Sequence, residues 1–320
     1  MNTMLLGFEP NTLSADELAH IQALAPDMRL LVTTDRQAIE DALATIEIAV
    51  KQFPQALMTQ APHLRWFQQW GAGADWLLDH PAVAALELMV TTGSGVHAIP
   101  ISEHILAYLF AFARALPQAI RGQTQRAWQQ PEWSRIFELA GKTMVLIGVG
   151  AIGERTALMA HGLGMRVLGV RQNADVSTPG VEAMFAPAAL LDVLPQADFV
   201  VITVPLTEAT RGLIGEAELQ AMKVSAYLVN IGRGGVIDEP ALVRALQEGR
   251  LAGAGLDVFA SEPLPPDSPL WTMENVIITG HYAGATPIYD ERAMAIFLDN
   301  LRRYRTGEPL RNVVDKTLGY

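Results

Sequence analysis

Short apolar runs rich in valine, isoleucine and leucine alternate with longer segments of helical periodicity along most of the 320-residue chain. This alternation is typical of β-α-β units whose strands form a parallel sheet. In the first part of the chain we predict strands over residues 30–33, 46–50, 64–66 and 88–91. Helices should fill the gaps, for example over residues 14–24, where Ser14 can cap the first turn and Glu17 follows three residues later.

A long helical stretch, over about residues 101–127, is apolar on nearly every side. A helix of that kind is buried, so we expect it between domains or between subunits. The following segment, residues 128–139, contains two tryptophans and a phenylalanine and is expected to lie across the surface as a packed loop.

A second alternating series begins after this loop. It predicts strands over residues 143–147, 166–170, 199–204, 226–230, 253–256 and 276–279, and a last helix over about 288–306. Six strands with intervening helices match one doubly wound dinucleotide-binding sheet. We therefore predict an α/β protein.

Composition narrows the class of protein. The length suits two domains, and 50% hydrophobic with 18% charged residues describes a globular chain. A formal net charge of −11 argues against nucleic-acid binding. The chain has no cysteine, no basic leader and no uncharged apolar run of the roughly 18 residues that a membrane span needs. We expect a soluble, cytoplasmic protein with no membrane association.

The segment Gly148-Val149-Gly150-Ala151-Ile152-Gly153 follows one predicted strand and opens the next helix. In that context the first glycine permits a tight turn and the second lets the backbone approach a pyrophosphate. The third lets helix and strand pack closely, and the helix N-terminus offers free N–H groups to phosphates. The alternative is a glycine-rich turn with no ligand.

Arg171 follows the second strand of this series, where an NAD site usually has an acidic residue for the ribose hydroxyls. A guanidinium at this position suits a 2′-phosphate instead. The sequence therefore favours NADP(H), with NAD(H) possible, although Arg171 could also be an ordinary exposed arginine at a strand end.

Three polar residues follow three later strands. Arg233 lies in Asn230-Ile231-Gly232-Arg233, Glu262 lies in Asp257-Val258-Phe259-Ala260-Ser261-Glu262, and His281 lies in Thr279-Gly280-His281. Carboxyl ends of parallel strands meet at one sheet edge, where ligands bind in open α/β folds. Taken singly, Glu262 could be a turn residue and His281 a satisfied histidine, but together behind a phosphate-binding turn they indicate a catalytic site.

These motifs resemble the signature segments of the D-isomer-specific 2-hydroxyacid dehydrogenases, glyoxylate/hydroxypyruvate reductases of the NADP-preferring branch in particular. The likeness extends from the Gly71-Ala72-Gly73-Ala74-Asp75 loop to the C-terminal helix. It implies that Arg233 binds the substrate carboxylate or carbonyl and that His281 exchanges a proton with the substrate oxygen. Glu262 would then accept the other ring N–H of His281, which fixes its tautomer and favours the imidazolium.

The resemblance also implies that Ala72 and Gly73 hold the substrate carboxylate through backbone N–H groups, although this loop could be a simple tight turn. Arg233 and His281 complete the expected substrate contacts. One departure is Gly280, because the family usually has proline immediately before the histidine. The expected cofactor contacts are Gly148, Gly150, Ala151, Ile152, Gly153, Arg171, Val204, Pro205, Ile231, Gly232, Asp257 and Gly284.

The implied architecture has two doubly wound parallel-sheet domains. A flavodoxin-like substrate domain would take residues 1–97 and 288–320, and a Rossmann cofactor domain would take 98–287, with the active cleft between them. The helix after Pro100 would then suit a homodimer interface. His97, Glu103 and His104 could suggest a metal site, but His97 lies before the helix that carries the other two and no third ligand is evident, so we expect no metal.

The expected activity is the NADP(H)-dependent interconversion of small 2-keto acids and D-2-hydroxy acids, with reduction favoured. The main alternative is a dinucleotide-sensing, corepressor-like binding protein of the same fold, since such proteins can retain the same three residues. A family member specialised for formate or phosphoglycerate is a closer alternative, although nothing resembling an appended regulatory domain is present.

Overall fold

A computed structural model gives the structure of the protein and describes residues 1–316. Within that range the chain forms twelve strands. They are β1 Thr3–Leu6, β2 Arg29–Val32, β3 Ile46–Val50, β4 Trp66–Gln68, β5 Met89–Thr91, β6 Thr143–Ile147, β7 Arg166–Val170, β8 Ala183–Phe185, β9 Phe199–Ile202, β10 Tyr227–Asn230, β11 Gly253–Leu256 and β12 Val276–Ile278.

The α-helices of the same residues are α1 Ala15–Leu24, α2 Arg36–Ala42, α3 Gln55–Met58, α4 Pro81–Ala84, α5 Ala98–Ala113, α6 Leu116–Thr124, α7 Ala151–Gly162, α8 Leu190–Val193, α9 Glu216–Ala221, α10 Glu239–Gln247 and α11 Tyr289–Thr306. Short 3-10 turns occupy Leu43–Thr45, Asp75–Asp79, Trp133–Arg135, Pro187–Ala189, Leu194–Gln196, Gly234–Val236 and Pro269–Thr272.

The chain divides into two compact units. The first takes Met1–Val96 together with the chain from Pro287 onward. Its five strands are all parallel, in the order β2-β1-β3-β4-β5. This is the flavodoxin-like order, and α11 packs its apolar face into the same core as β1 and β3.

The second unit, His97–Thr286, contains a sheet of seven parallel strands in the order β12-β11-β10-β9-β6-β7-β8. The strand order reverses at β6, which lies between β7 and β9, and this is the doubly wound arrangement whose ligands bind at the carboxyl ends of the strands. Apolar side chains cover both faces, since β6 and β9 contribute alternate residues to two separate core clusters. The predicted fold class is confirmed.

Every strand that the sequence predicted is present, within three residues at each end, and the cap of α1 is confirmed. Ser14 Oγ accepts from the backbone N–H of Glu17, and the Glu17 carboxylate accepts from the N–H of Ser14 at 2.7 Å. Two strands had not been predicted, β1 and β8. Both are short, and β1 lies at the very start of the chain, where no preceding turn marks it.

The predicted helix over residues 101–127 was wrong in its length, because two helices occupy this stretch. The break comes at Ala115, which adopts a left-handed backbone with φ +52°. Pro117 lies at the second position of α6, where it lacks the N–H that a continuing helix would need. The first of the two helices is buried along Ile101, Ile105 and Leu109, as its composition indicated.

The segment after α6 was expected to be packed, and this was also wrong for its two indoles. The exposed fractions of Trp128 and Trp133 are 95% and 87%. No single helix among residues 1–316 has the length and hydropathy to cross a bilayer, although α5 and α6 together, bent by 72°, satisfy that test on length and composition.

Candidate active site

The turn between β6 and α7 uses its three glycines in different ways. Gly148 has a φ of +98°, a left-handed conformation that glycine adopts without strain. A Cβ on Gly153 would lie 2.4 Å from the carbonyl oxygen of Gly148, so the helix can approach the strand only at glycine. A Cβ on Gly150 would meet nothing within 4 Å. Packing therefore explains two of the three glycines and leaves open space beside Gly150.

A threonine whose role was not predicted from the sequence stabilises this turn by a hydrogen bond. Thr203 follows β9, and its hydroxyl donates to the carbonyl oxygen of Gly148 at 2.5 Å. The next residue, Val204, also joins two expected cofactor positions: a Cβ on Gly148 would lie 2.8 Å from its Cγ1, and a Cβ on Gly232 would lie 2.6 Å from its carbonyl oxygen. The ends of β6, β9 and β10 thus meet in direct contact.

Arg171 lies immediately after β7, and its backbone N–H donates to Phe185 of the edge strand β8. Its Nη1 is 3.9 Å from Oε1 of Glu154 in the first turn of α7. That Nη1 atom is buried and has no hydrogen-bond partner among residues 1–316. The Arg171 side chain as a whole is 27% exposed, and a guanidinium with an unused donor is suited to pair with an anionic oxygen.

Glu262 and His281 are brought together as predicted. Oε2 of Glu262 lies 2.6 Å from Nδ1 of His281, and Oε1 accepts the backbone N–H of Phe259 at 2.9 Å. The second contact holds the carboxylate in place. Because a carboxylate only accepts, Nδ1 carries the proton, and Nε2 is the ring nitrogen that can exchange a proton with a bound molecule.

The turn that carries His281 is anchored on Asp257, which follows β11. The N–H of His281 donates to the Asp257 carbonyl oxygen at 2.8 Å, and the buried Asp257 carboxylate accepts N–H groups of Tyr282 and Ala283, both at 3.1 Å. A cofactor contact of Asp257 stays a prediction, and the carboxylate already has partners within the protein.

Arg233 follows β10, the strand beside β11. Its carbonyl oxygen accepts from the Asn230 side chain at 3.0 Å, and the next residue, Gly234, packs so closely on Phe259 that a Cβ there would lie 1.8 Å from the Phe259 carbonyl carbon. The segment carrying the guanidinium therefore touches the segment that leads to Glu262.

His97, the first residue of the second unit, contacts Gly284 and is influenced by the charge of Arg233. Burial lowers its pKa, and the positive charge of Arg233 acts in the same direction, against a hydrogen bond with the Gly284 carbonyl oxygen at 3.1 Å. A Cβ on Gly284 would lie 2.7 Å from Nδ1 of His97, so this expected cofactor position also has a packing reason to be glycine.

The remaining expected cofactor residues occupy the same sheet edge. Ala151 and Ile152 begin α7, Pro205 follows β9, and Ile231 follows β10 and donates its N–H to Ile202 at 3.3 Å. Together these positions lie at the carboxyl ends of six contiguous strands, β12, β11, β10, β9, β6 and β7. Across residues 1–316 no group of three or more histidine, aspartate or glutamate side chains could hold a metal ion.

Ala72 and Gly73 belong to the first unit, in the loop after β4. The side-chain amide of Gln69 donates to the carbonyl oxygens of Gly71, at 3.4 Å, and Gly73, while its Oε1 accepts the indole N–H of Trp76 at 2.5 Å. Gln69 thus engages the carbonyl groups of the loop, which is compatible with N–H groups turned toward a ligand. This clamp was not foreseen, because glutamine after a strand has no distinctive sequence signal.

Residues 106–283 match the family model described as D-isomer specific 2-hydroxyacid dehydrogenase, NAD binding domain. A glyoxylate reductase of Korarchaeum cryptofilum is 36% identical over 287 residues, which are 88% of this chain and 85% of that protein.

Two solved structures are similar over the whole chain. A D-isomer specific 2-hydroxyacid dehydrogenase from Xanthobacter autotrophicus Py2, in complex with NADPH and MES, has a TM-score of 0.84 at 28% identity and covers 100% of this chain and 99% of its own. An NADPH-dependent glyoxylate/hydroxypyruvate reductase from Sinorhizobium meliloti, in complex with NADP and sulfate, has a TM-score of 0.83 at 27% identity, with 100% of both chains covered. The chain therefore belongs to the D-isomer specific 2-hydroxyacid dehydrogenase family of NAD(P)-dependent oxidoreductases.

Proposed function

We propose that this protein reduces small 2-keto acids to D-2-hydroxy acids with NADPH, using Arg233, Glu262 and His281 as its catalytic residues. The observation that carries the proposal is the 2.6 Å contact between Oε2 of Glu262 and Nδ1 of His281, at a sheet edge that also bears a phosphate-binding turn. A carboxylate-backed imidazole beside a dinucleotide site is suited to reversible proton transfer coupled to a change of oxidation state at carbon.

In the proposed reaction each residue has a separate task. Arg233 binds the substrate carboxylate or keto oxygen through its planar fork and polarises the carbonyl. His281 donates the proton on Nε2 to the keto oxygen as it becomes a hydroxyl, and Glu262 stabilises the positive charge of the ring before that transfer. When bound, the nicotinamide supplies the two electrons and the hydrogen that C2 of the substrate gains.

Arg171 supports the preference for NADP(H), and Gly150 supports the binding of a dinucleotide of either kind. The partly exposed guanidinium of Arg171, whose Nη1 has no hydrogen-bond partner among residues 1–316, fits the 2′-phosphate. The open space beside Gly150 fits a pyrophosphate held by N–H groups at the start of α7. NAD(H) stays possible, because Glu154 lies 3.9 Å from Arg171 and offsets part of its charge. Both similar solved structures contain NADP(H).

The proposed substrates follow from the names of the relatives and from the loop at Ala72 and Gly73. Glyoxylate and hydroxypyruvate are the acids named for the Sinorhizobium meliloti reductase. Backbone N–H groups of Ala72 and Gly73 would hold the carboxylate that such acids share. We assign the substrate-binding role to residues 1–97 with 288–320, and the cofactor-binding role to residues 98–287.

A cytoplasmic homodimer is part of the same proposal. Large apolar side chains with exposed fractions between 41% and 95% are concentrated between residues 110 and 133 of the second unit: Phe110, Leu116, Ile120, Trp128 and Trp133. Exposed apolar side chains of this size are suited to contact a second copy of the chain.

The test is a panel of glyoxylate, hydroxypyruvate and pyruvate, each assayed with NADPH and with NADH. We expect turnover of at least one acid and a kcat/KM for NADPH above that for NADH. The product from hydroxypyruvate or pyruvate should have D configuration, whereas the glycolate formed from glyoxylate is achiral. A ratio below one would refute the NADP(H) preference, and no turnover would refute the enzymatic proposal. An absence of turnover would favour the alternative, a dinucleotide-sensing binding protein. The relatives named as reductases argue against that alternative.

A further inference from the structure

The hydroxyl of Thr279, two residues before His281, lies at the centre of a hydrogen-bonded cluster. Its Oγ1 is 2.6 Å from the phenolic oxygen of Tyr108, 3.1 Å from Nε2 of His104 and 2.5 Å from Oδ1 of Asp257. Tyr108 and His104 lie one turn apart on α5. A single side chain thus connects α5 with the end of β12.

Counting donors fixes the direction of each bond. A hydroxyl has one proton to give and two lone pairs to accept with, and the Asp257 carboxylate can only accept. Thr279 therefore donates to Asp257, and its lone pairs accept from the Tyr108 hydroxyl and from the Nε2–H of His104. All three capacities of Thr279 are used, and the Nε2–H tautomer of His104 is the one that fits.

Asp257 connects the Thr279 cluster to the turn of His281 through hydrogen bonds. Its carboxylate accepts the N–H groups of Tyr282 and Ala283, and its carbonyl oxygen accepts the N–H of His281 at 2.8 Å. The turn needs such support, because His281 has a left-handed φ of +56°, which is costly for a residue with a Cβ. The preceding residue is Gly280, which does not restrict the backbone as the usual proline of the family would.

The ring of Tyr108 is packed closely between β11 and the His104 ring. A Cβ on Gly255 of β11 would lie 2.7 Å from Cγ of the Tyr108 ring, so the ring lies directly on the strand backbone. Tyr108 is buried, and this burial raises the pKa of its hydroxyl, which therefore stays protonated and able to donate. The His104 ring meets the Tyr108 ring edge to face, with 4.8 Å between the ring centroids.

We infer that Tyr108 and His104 are positioning residues for His281, acting through Thr279 and Asp257. Their hydrogen bonds from α5 restrict the backbone of the His281 turn, which a proline before the histidine would otherwise restrict. This inference rests on the proposed function, since it assigns the histidine a proton to transfer, but the hydrogen-bonded linkage itself does not.

The test compares Thr279→Val, Thr279→Ser and Tyr108→Phe with the wild type. Valine keeps the shape of threonine and removes the hydroxyl, whereas serine keeps the hydroxyl. A misplaced catalytic group costs up to about 10²-fold, so we expect Thr279→Val to lower kcat by about 10- to 100-fold with KM for acid and NADPH within two-fold. Tyr108→Phe, which removes one hydrogen bond, should lower kcat by about 3- to 10-fold.

Serine should restore kcat to within about three-fold of the wild type, since its hydroxyl can make the same bonds. The matched control is Tyr227→Phe, a half-buried tyrosine of the same unit whose ring stacks on Phe112 and Phe199 and which has no part in the cluster. It should leave kcat unchanged. Hydrogen exchange of the Tyr282 and Ala283 amides supplies a readout besides activity, and Thr279→Val should speed it at least ten-fold.

The outcomes separate the two proposals. A folded Thr279→Val variant with wild-type kcat and wild-type amide exchange would overturn the inference, as would a serine variant no better than valine. If the wild type itself reduces none of the acids, the proposed function fails, and amide exchange alone then decides whether the linkage orders the turn.

Discussion

Replacing Glu262 by glutamine should change which protons the His281 ring can hold, and the geometry dictates the direction. Oε1 of Glu262 accepts the N–H of Phe259 at 2.9 Å, and only an oxygen can fill that place. The glutamine must therefore turn its NH2 group toward Nδ1 of His281. Nδ1 then has to accept, so the neutral ring carries its proton on Nε2 and the imidazolium loses its counter-charge.

The magnitude follows from the contact that is lost. A charge-assisted hydrogen bond contributes about 1.5–3 kcal/mol, and the side chains of His281 and Glu262 are 50% and 34% exposed, which places this one toward the lower end. At about 1.4 kcal/mol per factor of ten, the ion pair accounts for about ten-fold in rate. The unfavourable tautomer adds to this, so we expect kcat to fall by about 10²-fold, within the range that general acid catalysis provides.

The assay is steady-state reduction of glyoxylate or hydroxypyruvate with saturating NADPH. Glu239→Gln is the matched control, because the Glu239 carboxylate accepts the N–H of Ala260 at 2.9 Å, one residue along the same loop, and has no imidazole partner. It should retain kcat within two-fold. A Glu262→Gln enzyme as active as this control would refute the assigned role of the carboxylate.

Three further predictions address the cofactor site and the pH dependence of folding. Gly150→Ala should leave Tm unchanged and weaken NADPH binding at least ten-fold, whereas Gly153→Ala, whose Cβ would lie 2.4 Å from a carbonyl oxygen, should lower Tm; equal effects on Tm would contradict this. Glu154→Gln removes a carboxylate 3.9 Å from Arg171 and should raise the NADPH-to-NADH ratio of kcat/KM about three-fold, so an unchanged ratio would count against Arg171. Burial lowers the pKa of His97 below its usual 6.5, so the unfolded chain binds a proton at a higher pH than the folded chain does. The contribution of His97 to the free energy of unfolding is therefore present above pH 6.5 and is lost as the pH falls toward the folded pKa. In urea unfolding between pH 7 and 5, the free energy of unfolding should fall less steeply for His97→Gln than for the wild type. An identical pH dependence in the two proteins would contradict this prediction.

Much of the fold could be predicted because its signals are local. The strands of the second unit are apolar runs between turn residues, and the phosphate-binding turn has a strand before it and a helix after it. The short strand β8, Ala183–Phe185, was not predicted because it contains no valine, isoleucine or leucine and begins with alanine, a residue depleted in strands. The break at Ala115 escaped because the apolar pattern continues on both sides of it, and only Pro117 marked the change.

The candidate site could be predicted less completely. Glu262 and His281 were expected at one edge because both follow strands of one parallel sheet, and the family resemblance implied their pairing. Their 2.6 Å contact agrees with both. The supporting groups were not found, since Thr203 and Thr279 act through hydroxyls whose partners are distant in sequence. Tyr108 is 171 residues from Thr279, and only the folded chain brings their oxygens to 2.6 Å.

The central claim concerns the proton that His281 transfers, and the most direct measurement is kcat of His281→Asn with NADPH and glyoxylate or hydroxypyruvate, beside the wild type. Asparagine tolerates the left-handed backbone at this position, so the turn survives while the titratable ring is lost. We predict a kcat lower by about 10²- to 10⁴-fold with an unchanged Kd for NADPH. A loss of only a few-fold would contradict the account.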